Sequence, residues 1–105
     1  MTAGAPLPPA KARALALVLL VERGFAEVAR NTRGDSVYLS LEGRAGTVRV
    51  SSHPRTPKQR RNHPDALTSL VLRQPKTAAQ VADMVETAIR NFSAEQARRE
   101  RVQSP

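Results

Sequence analysis

Residues 36–51 read Ser-Val-Tyr-Leu-Ser-Leu-Glu-Gly-Arg-Ala-Gly-Thr-Val-Arg-Val-Ser, and the architecture is organised around them. Val37, Leu39 and Leu41 alternate with Ser36, Tyr38 and Ser40. Beyond Gly43 and Gly46, which read as turn residues, Val48 and Val50 alternate with Thr47, Arg49 and Ser51. A period of two marks a strand with two unlike faces. A slip of one residue would turn a strand over, so the five aliphatic residues of this antiparallel hairpin have to share one face. Two registers near the turn achieve this, with Tyr38 opposite either Arg49 or Ser51. Both gather Ser36, Tyr38, Ser40, Thr47, Arg49 and Ser51 on the other face, and in an antiparallel sheet one face is commonly wet.

On the N-terminal side, Phe25–Arg30 reads as a further strand, followed by a turn at Asn31-Thr32-Arg33-Gly34. Ala10–Arg23 is rich in strong helix formers. Pro8 and Pro9 stand at its start, and Gly24 at its end suits a left-handed position. Leu15, Leu17, Val18, Leu19, Leu20 and Val21 go nearly all the way round that helix, so it is deeply buried or it covers an oligomer contact. Residues 1–9 are small and proline-rich and read as a mobile lead-in.

On the C-terminal side, Ser52–Pro64 has three prolines, four cations and no other apolar residue. It reads as a loop of a length at which structureless connections are usually functional or disordered. Residues 65–73 fit a helix or a short strand equally well, and both readings stay open. Thr77-Ala78-Ala79-Gln80 is a capping box. After it, Val81, Met84, Val85, Ala88, Ile89 and Phe92 form one helical stripe, and residues 93–105 read as a fraying charged tail. The expectation is one α+β domain over residues 10–92. An antiparallel meander of three or four strands packs on two helices, in the order helix, three strands, an ambiguous segment, helix.

The 105-residue chain has no cysteine, which removes disulfide frameworks, thiol nucleophiles and cysteine-based metal centres. No cofactor is implied. Lys+Arg number 17 against 9 Asp+Glu, a net charge of +8. All but Lys11, Lys58 and Lys76 of the cations are arginine. Codon bias in a GC-rich genome can explain arginine over lysine, but it does not explain cations over anions. A small domain so far from neutrality calls for an anionic partner, and nucleic acid is the usual one. Aromatics are 3% of the chain, too few for a face that stacks successive bases. The apolar run Ala14–Val21 follows two cations as a signal peptide does. It is too short to span a membrane and no small-residue cleavage site follows, so the cytoplasm is expected and membrane partners are not.

Two groups of residues carry the candidate site. Tyr38 and Arg49 sit on the polar hairpin face with His53 just past its end, where a phenol and a guanidinium can hold a phosphate or a ribose. The second group is Arg55, Lys58, Arg60 and Arg61, with Asp65 as the nearest acid. Cations on flexible stems are what phosphate contacts need, although such a loop can also serve solubility alone. His53 and His63 are ten residues apart, outside the short spacings of zinc ligand pairs, and no metal site is read here. No catalytic arrangement is read either; His53 beside a bound phosphate is the one acid–base alternative.

The order helix, three strands, helix is that of double-stranded-RNA-binding domains, and residues 18–74 resemble the HicA toxin family of that fold. The resembling features are Gly24-Phe25 at the helix end, the turn Gly34-Asp35-Ser36, the strand end Val48-Arg49-Val50-Ser51-Ser52-His53-Pro54, and Leu67-Thr68-Ser69-Leu70-Val71-Leu72-Arg73-Gln74. In that family RNA cleavage depends on a histidine in the first turn, where this chain has Ser36. The resemblance thus implies an RNA-binding scaffold without its cutter. The Ser-x-Tyr and Arg-Val-Ser-x-His-Pro segments are also similar to small phage and mobile-element proteins.

The functional expectation is a small, non-catalytic, nucleic-acid-binding protein, RNA favoured. Tyr38, Arg49, His53, Arg55, Lys58, Arg60 and Arg61 form its site. The alternatives are a phage-type anti-defence protein that binds an acidic protein surface or a nucleotide signal, and a weak HicA-like ribonuclease. A homodimer through helix 10–23 is the structural expectation that accompanies them.

Overall fold

The computed structural model describes residues 4–31 and 36–103. Its elements run α1 (Pro9–Glu22), β1 (Phe25–Arg30), β2 (Ser36–Leu41), β3 (Thr47–Ser51), α2 (Pro57–Asn62), β4 (Ala66–Val71) and α3 (Ala78–Gln103). The four strands form one sheet in the order β1-β2-β3-β4. In the hairpin Tyr38 pairs with Arg49, Val37 with Val50 and Leu39 with Val48, the first of the two registers that the alternation allows. The aliphatic face they share meets α1 and α3 in one core. Ala12, Ala16, Leu20, Val48, Leu72 and Val81 are all wholly buried there. The Phe25 and Phe92 rings meet edge to face at 5.3 Å, which ties the start of β1 to α3.

The α+β class stands, but the all-antiparallel meander does not. β4 lies parallel to β3, with Val50 beside Leu70 and Ser51 beside Val71, so the sheet is mixed. Two parallel neighbours cannot be joined by a tight hairpin; they need a crossover of about a dozen residues. Residues 52–65 are that crossover, and they carry a helix of their own. The structureless loop expected there is therefore replaced by α2, and the segment that fitted helix and strand equally well is a strand.

Both ends are more ordered than the composition suggests. Within the lead-in, Leu7 exchanges backbone hydrogen bonds with Lys76, at 2.7 Å and 3.1 Å. At the other end α3 continues through residues 93–103 instead of fraying at Ser93. Gln96 is buried and donates to the Ala45 carbonyl of the β2–β3 turn. One turn of the same helix is laced by Glu95, which accepts from Arg98 and from Arg99. The turn expected at residues 31–34 lies mostly outside the described residues.

The Glu95 bonds have a pH signature. Hydrogen bonding from Arg98, with Arg99 adding to it, holds the Glu95 carboxyl at about 2, below its ordinary 4.5. A carboxyl lowered by folding stabilises the folded form above its unfolded value, and that gain is lost as pH falls toward the folded value. Wild type should therefore melt above Glu95→Gln at neutral pH, and the gap should close between about 4.5 and about 2. A gap in melting temperature that stayed constant across that range would show that these bonds do not form in solution.

Candidate nucleic-acid interface

The second face of the hairpin is polar, as its alternation demands, but it is not wet. Ser36, Arg49 and Ser51 are 0% exposed and Tyr38 is 2% exposed. The cover is the crossover itself. Thr56 caps α2 by accepting from the Gln59 backbone N–H at 3.2 Å. The Gln59 side-chain oxygen in turn accepts from the Thr56 N–H at 3.0 Å. That same oxygen accepts from Arg49 Nη2 at 3.2 Å, so one amide joins the helix cap to the buried guanidinium. One helical turn on, at His63, the imidazole stacks on the Tyr38 ring with centroids 4.0 Å apart and planes 18° apart. Residues four apart on a helix share a face; Gln59 and His63 thus form the seat of α2, and the polar hairpin face is its socket.

Within the socket Arg49 also approaches Ser36 Oγ at 3.4 Å, and Ser36 Oγ lies 2.8 Å from Ser51 Oγ. His53 Nδ1 is 3.0 Å from the Pro54 carbonyl and 3.4 Å from Arg49 Nη2. A carbonyl only accepts and a guanidinium only donates, so these two contacts call for opposite tautomers and Nδ1 serves one of them at a time. Tyr38, Arg49 and His53 are brought together as expected, but as the bed beneath α2 and not as an open cleft.

The four loop cations divide. Arg55 is half-buried and donates from Nη1 to the Ala66 carbonyl at 3.0 Å, pinning the start of the crossover to β4. Lys58, Arg60 and Arg61 are exposed on the sides of α2 turned away from the Gln59–His63 seat. Among the described residues, ion pairs join Arg23 to Glu86, Arg30 to Glu27, and both Arg98 and Arg99 to Glu95; none involves Lys58, Arg60 or Arg61. Four arginines are thus matched with acids, while among the described residues the three α2 cations are not. A groove between β4 and α3 is floored by Leu70, Met84 and Ala88 and carries one acid, Asp83, and no cation. It offers nothing to a phosphate.

No protein-family model matches the chain, and no solved structure matches it. The likeness to HicA proteins therefore rests on the sequence motifs, of which the turn residues Gly34 and Asp35 lie outside the described residues. Among the described residues no group of His, Cys, Asp or Glu is placed to hold a metal ion, and no helix is long and apolar enough to cross a membrane.

Two contributors were missed from the sequence, Gln59 and the packing role of His63. A signal for the first was there. Thr56-Pro57-Lys58-Gln59 has the Thr-x-x-Gln spacing that identifies the cap of α3, with proline at the first helical position.

Proposed function

We propose that the protein binds nucleic acid, structured RNA foremost, through phosphate contacts from Lys58, Arg60 and Arg61, and that it does so without catalysis. The observation that carries this reading is the pairing of three exposed cations, without acid partners among the described residues, with a short helix anchored by the Gln59 bond to buried Arg49 and the stack of His63 on Tyr38. Cations on a fixed turn keep a fixed spacing and lose less freedom on contact than they would on a floppy loop. RNA helices are recognised largely through shape and backbone, so scarce aromatic residues are no obstacle. Tyr38, Arg49 and His53 act in this reading as positioning residues, and Arg55 holds the crossover to the sheet.

Each phosphate contact releases counterions, so affinity falls steeply with salt. Replacing Arg60 and Arg61 together by alanine should reduce the slope of log affinity against log salt by roughly two units or somewhat less. Arg30→Ala, which removes a cation already paired with Glu27, serves as the control and should leave the slope nearly unchanged. An unchanged slope in the double variant would overturn the proposal. So would thermal stabilisation by free nucleotides with none by a short RNA duplex, which would favour the small-anion alternative.

A further inference from the structure

α1 turns Ala12, Ala16 and Leu20 into the core, each 0% exposed. The opposite side of the helix is left uncovered. Lys11, Ala14, Val18, Val21 and Glu22 are all exposed there, Val18 by 52% and Val21 by 56%. The positions 11, 14, 18 and 21 follow the alternating three-and-four spacing of a helix-pairing seam. Ala14 in the middle allows close approach, and the two valines supply the apolar contact.

The ends of the seam say what covers it. Lys11 stands at one end and Glu22 at the other, and neither is ion-paired within the chain among the described residues. A second copy packed parallel would set Lys11 against Lys11 and Glu22 against Glu22. Packed antiparallel about a twofold axis, each copy sets its Lys11 against Glu22 of the other, twice per interface, with Ala14, Val18 and Val21 between. The seam is self-complementary in charge, as a twofold interface requires. We infer that the protein forms an antiparallel homodimer through the outward seam of α1.

This assembly does not depend on nucleic-acid binding, but it bears on it. α1 and α2 lie on opposite faces of the sheet, so pairing through α1 leaves both α2 turns on the outer surfaces of the dimer, facing away from each other. If the proposed function holds, one dimer joins two separate nucleic-acid segments.

Sedimentation equilibrium on full-length protein stripped of nucleic acid tests the assembly by itself. Wild type should sediment as a dimer. Val18→Asp should raise the dimer dissociation constant by about a hundredfold, from the loss of two buried valines per interface, with its helical circular dichroism retained. Lys11→Glu should weaken the dimer, and Lys11→Glu combined with Glu22→Lys should restore it, because the exchange recreates both pairs. A monomeric wild type, or a folded Val18→Asp variant that remains dimeric, would overturn the inference. A double exchange that fails to recover what the single charge reversal loses would overturn the antiparallel arrangement.

Discussion

Replacing Arg49 by alanine is expected to lower folding stability by about 3–5 kcal/mol and to free α2 from the sheet. The side chain is wholly buried, and it is the largest of the wholly buried side chains. Truncation removes a guanidinium that bonds half-buried Gln59 and approaches buried Ser36, and it leaves the Ser36 oxygen without that donor inside the socket. It also empties a volume that Tyr38, Ser36 and Ser51 are not shaped to fill. Arg49→Lys keeps a charge but replaces a planar fork by a point donor, and it should recover only part of the loss. Arg49→Met separates the terms, because it keeps most of the volume and none of the bonds. Denaturant unfolding gives the stability, and limited trypsin digestion gives the location. If α2 is released, cleavage after Lys58, Arg60 and Arg61 should become faster than cleavage in α3. A variant within about 1 kcal/mol of wild type, or an unchanged digestion pattern, would mean that the socket is not what holds α2.

The same substitution ties the fold to the proposed function. Arg49→Ala leaves Lys58, Arg60 and Arg61 in the chain, so the salt slope of nucleic-acid binding should persist while the affinity drops. Arg60→Ala with Arg61→Ala should lower the slope together with the affinity, in a fully stable protein. One pair of measurements therefore distinguishes residues that hold the interface in place from residues that touch phosphate.

How far the chain could be read in advance follows from which forces are local. Alternation over residues 36–51 predicts the hairpin, its face and its register to within two choices, because a buried face and a short turn leave few other solutions. The Thr77–Gln80 cap and the stripe from Val81 to Phe92 predict α3 for the same reason. Wetness is a different matter. Polarity of one face says which side chains lie there, not what comes to cover them. The cover here is fourteen residues of crossover whose own polar groups, Gln59 and His63, match the socket. The parallel placement of β4 had a readable trace, since the distance from Ser51 to Ala66 is long for a hairpin and suits a crossover. The continuation of α3 through residues 93–103 had a local trace in the spacing of Glu95, Arg98 and Arg99. The buried contact of Gln96 with Ala45 had none, because it joins residues 51 apart in the chain.

Gly46→Ala is expected to cost about 2–4 kcal/mol, although it adds a single methyl group in a turn. Gly46 has φ +93, a conformation that L side chains rarely adopt. A Cβ there would lie 2.6 Å from Leu67 Cδ1, 2.7 Å from Leu67 Cγ and 3.2 Å from the Asp65 carbonyl oxygen. Gly43, in the same turn, separates the two costs: its φ is +78 and a Cβ there meets nothing within 4 Å. Gly43→Ala should therefore carry only the backbone penalty, about 1–2 kcal/mol. The difference between the two variants measures the clash, and the clash falls where the parallel pairing begins. Thr47 N–H donates to the Asp65 carbonyl at 2.8 Å, and the Ala66 N–H donates to the His63 carbonyl at 3.1 Å. Pressure on Leu67 and Asp65 is thus transmitted to the end of the crossover that seats His63 on Tyr38. In a Leu67→Ala background the cost of Gly46→Ala should fall toward that of Gly43→Ala, which a double-mutant cycle by urea unfolding would read as coupling. Equal costs for the two glycine variants in the wild-type background would show that the half-buried Leu67 side chain moves aside and that the clash is not transmitted to β4.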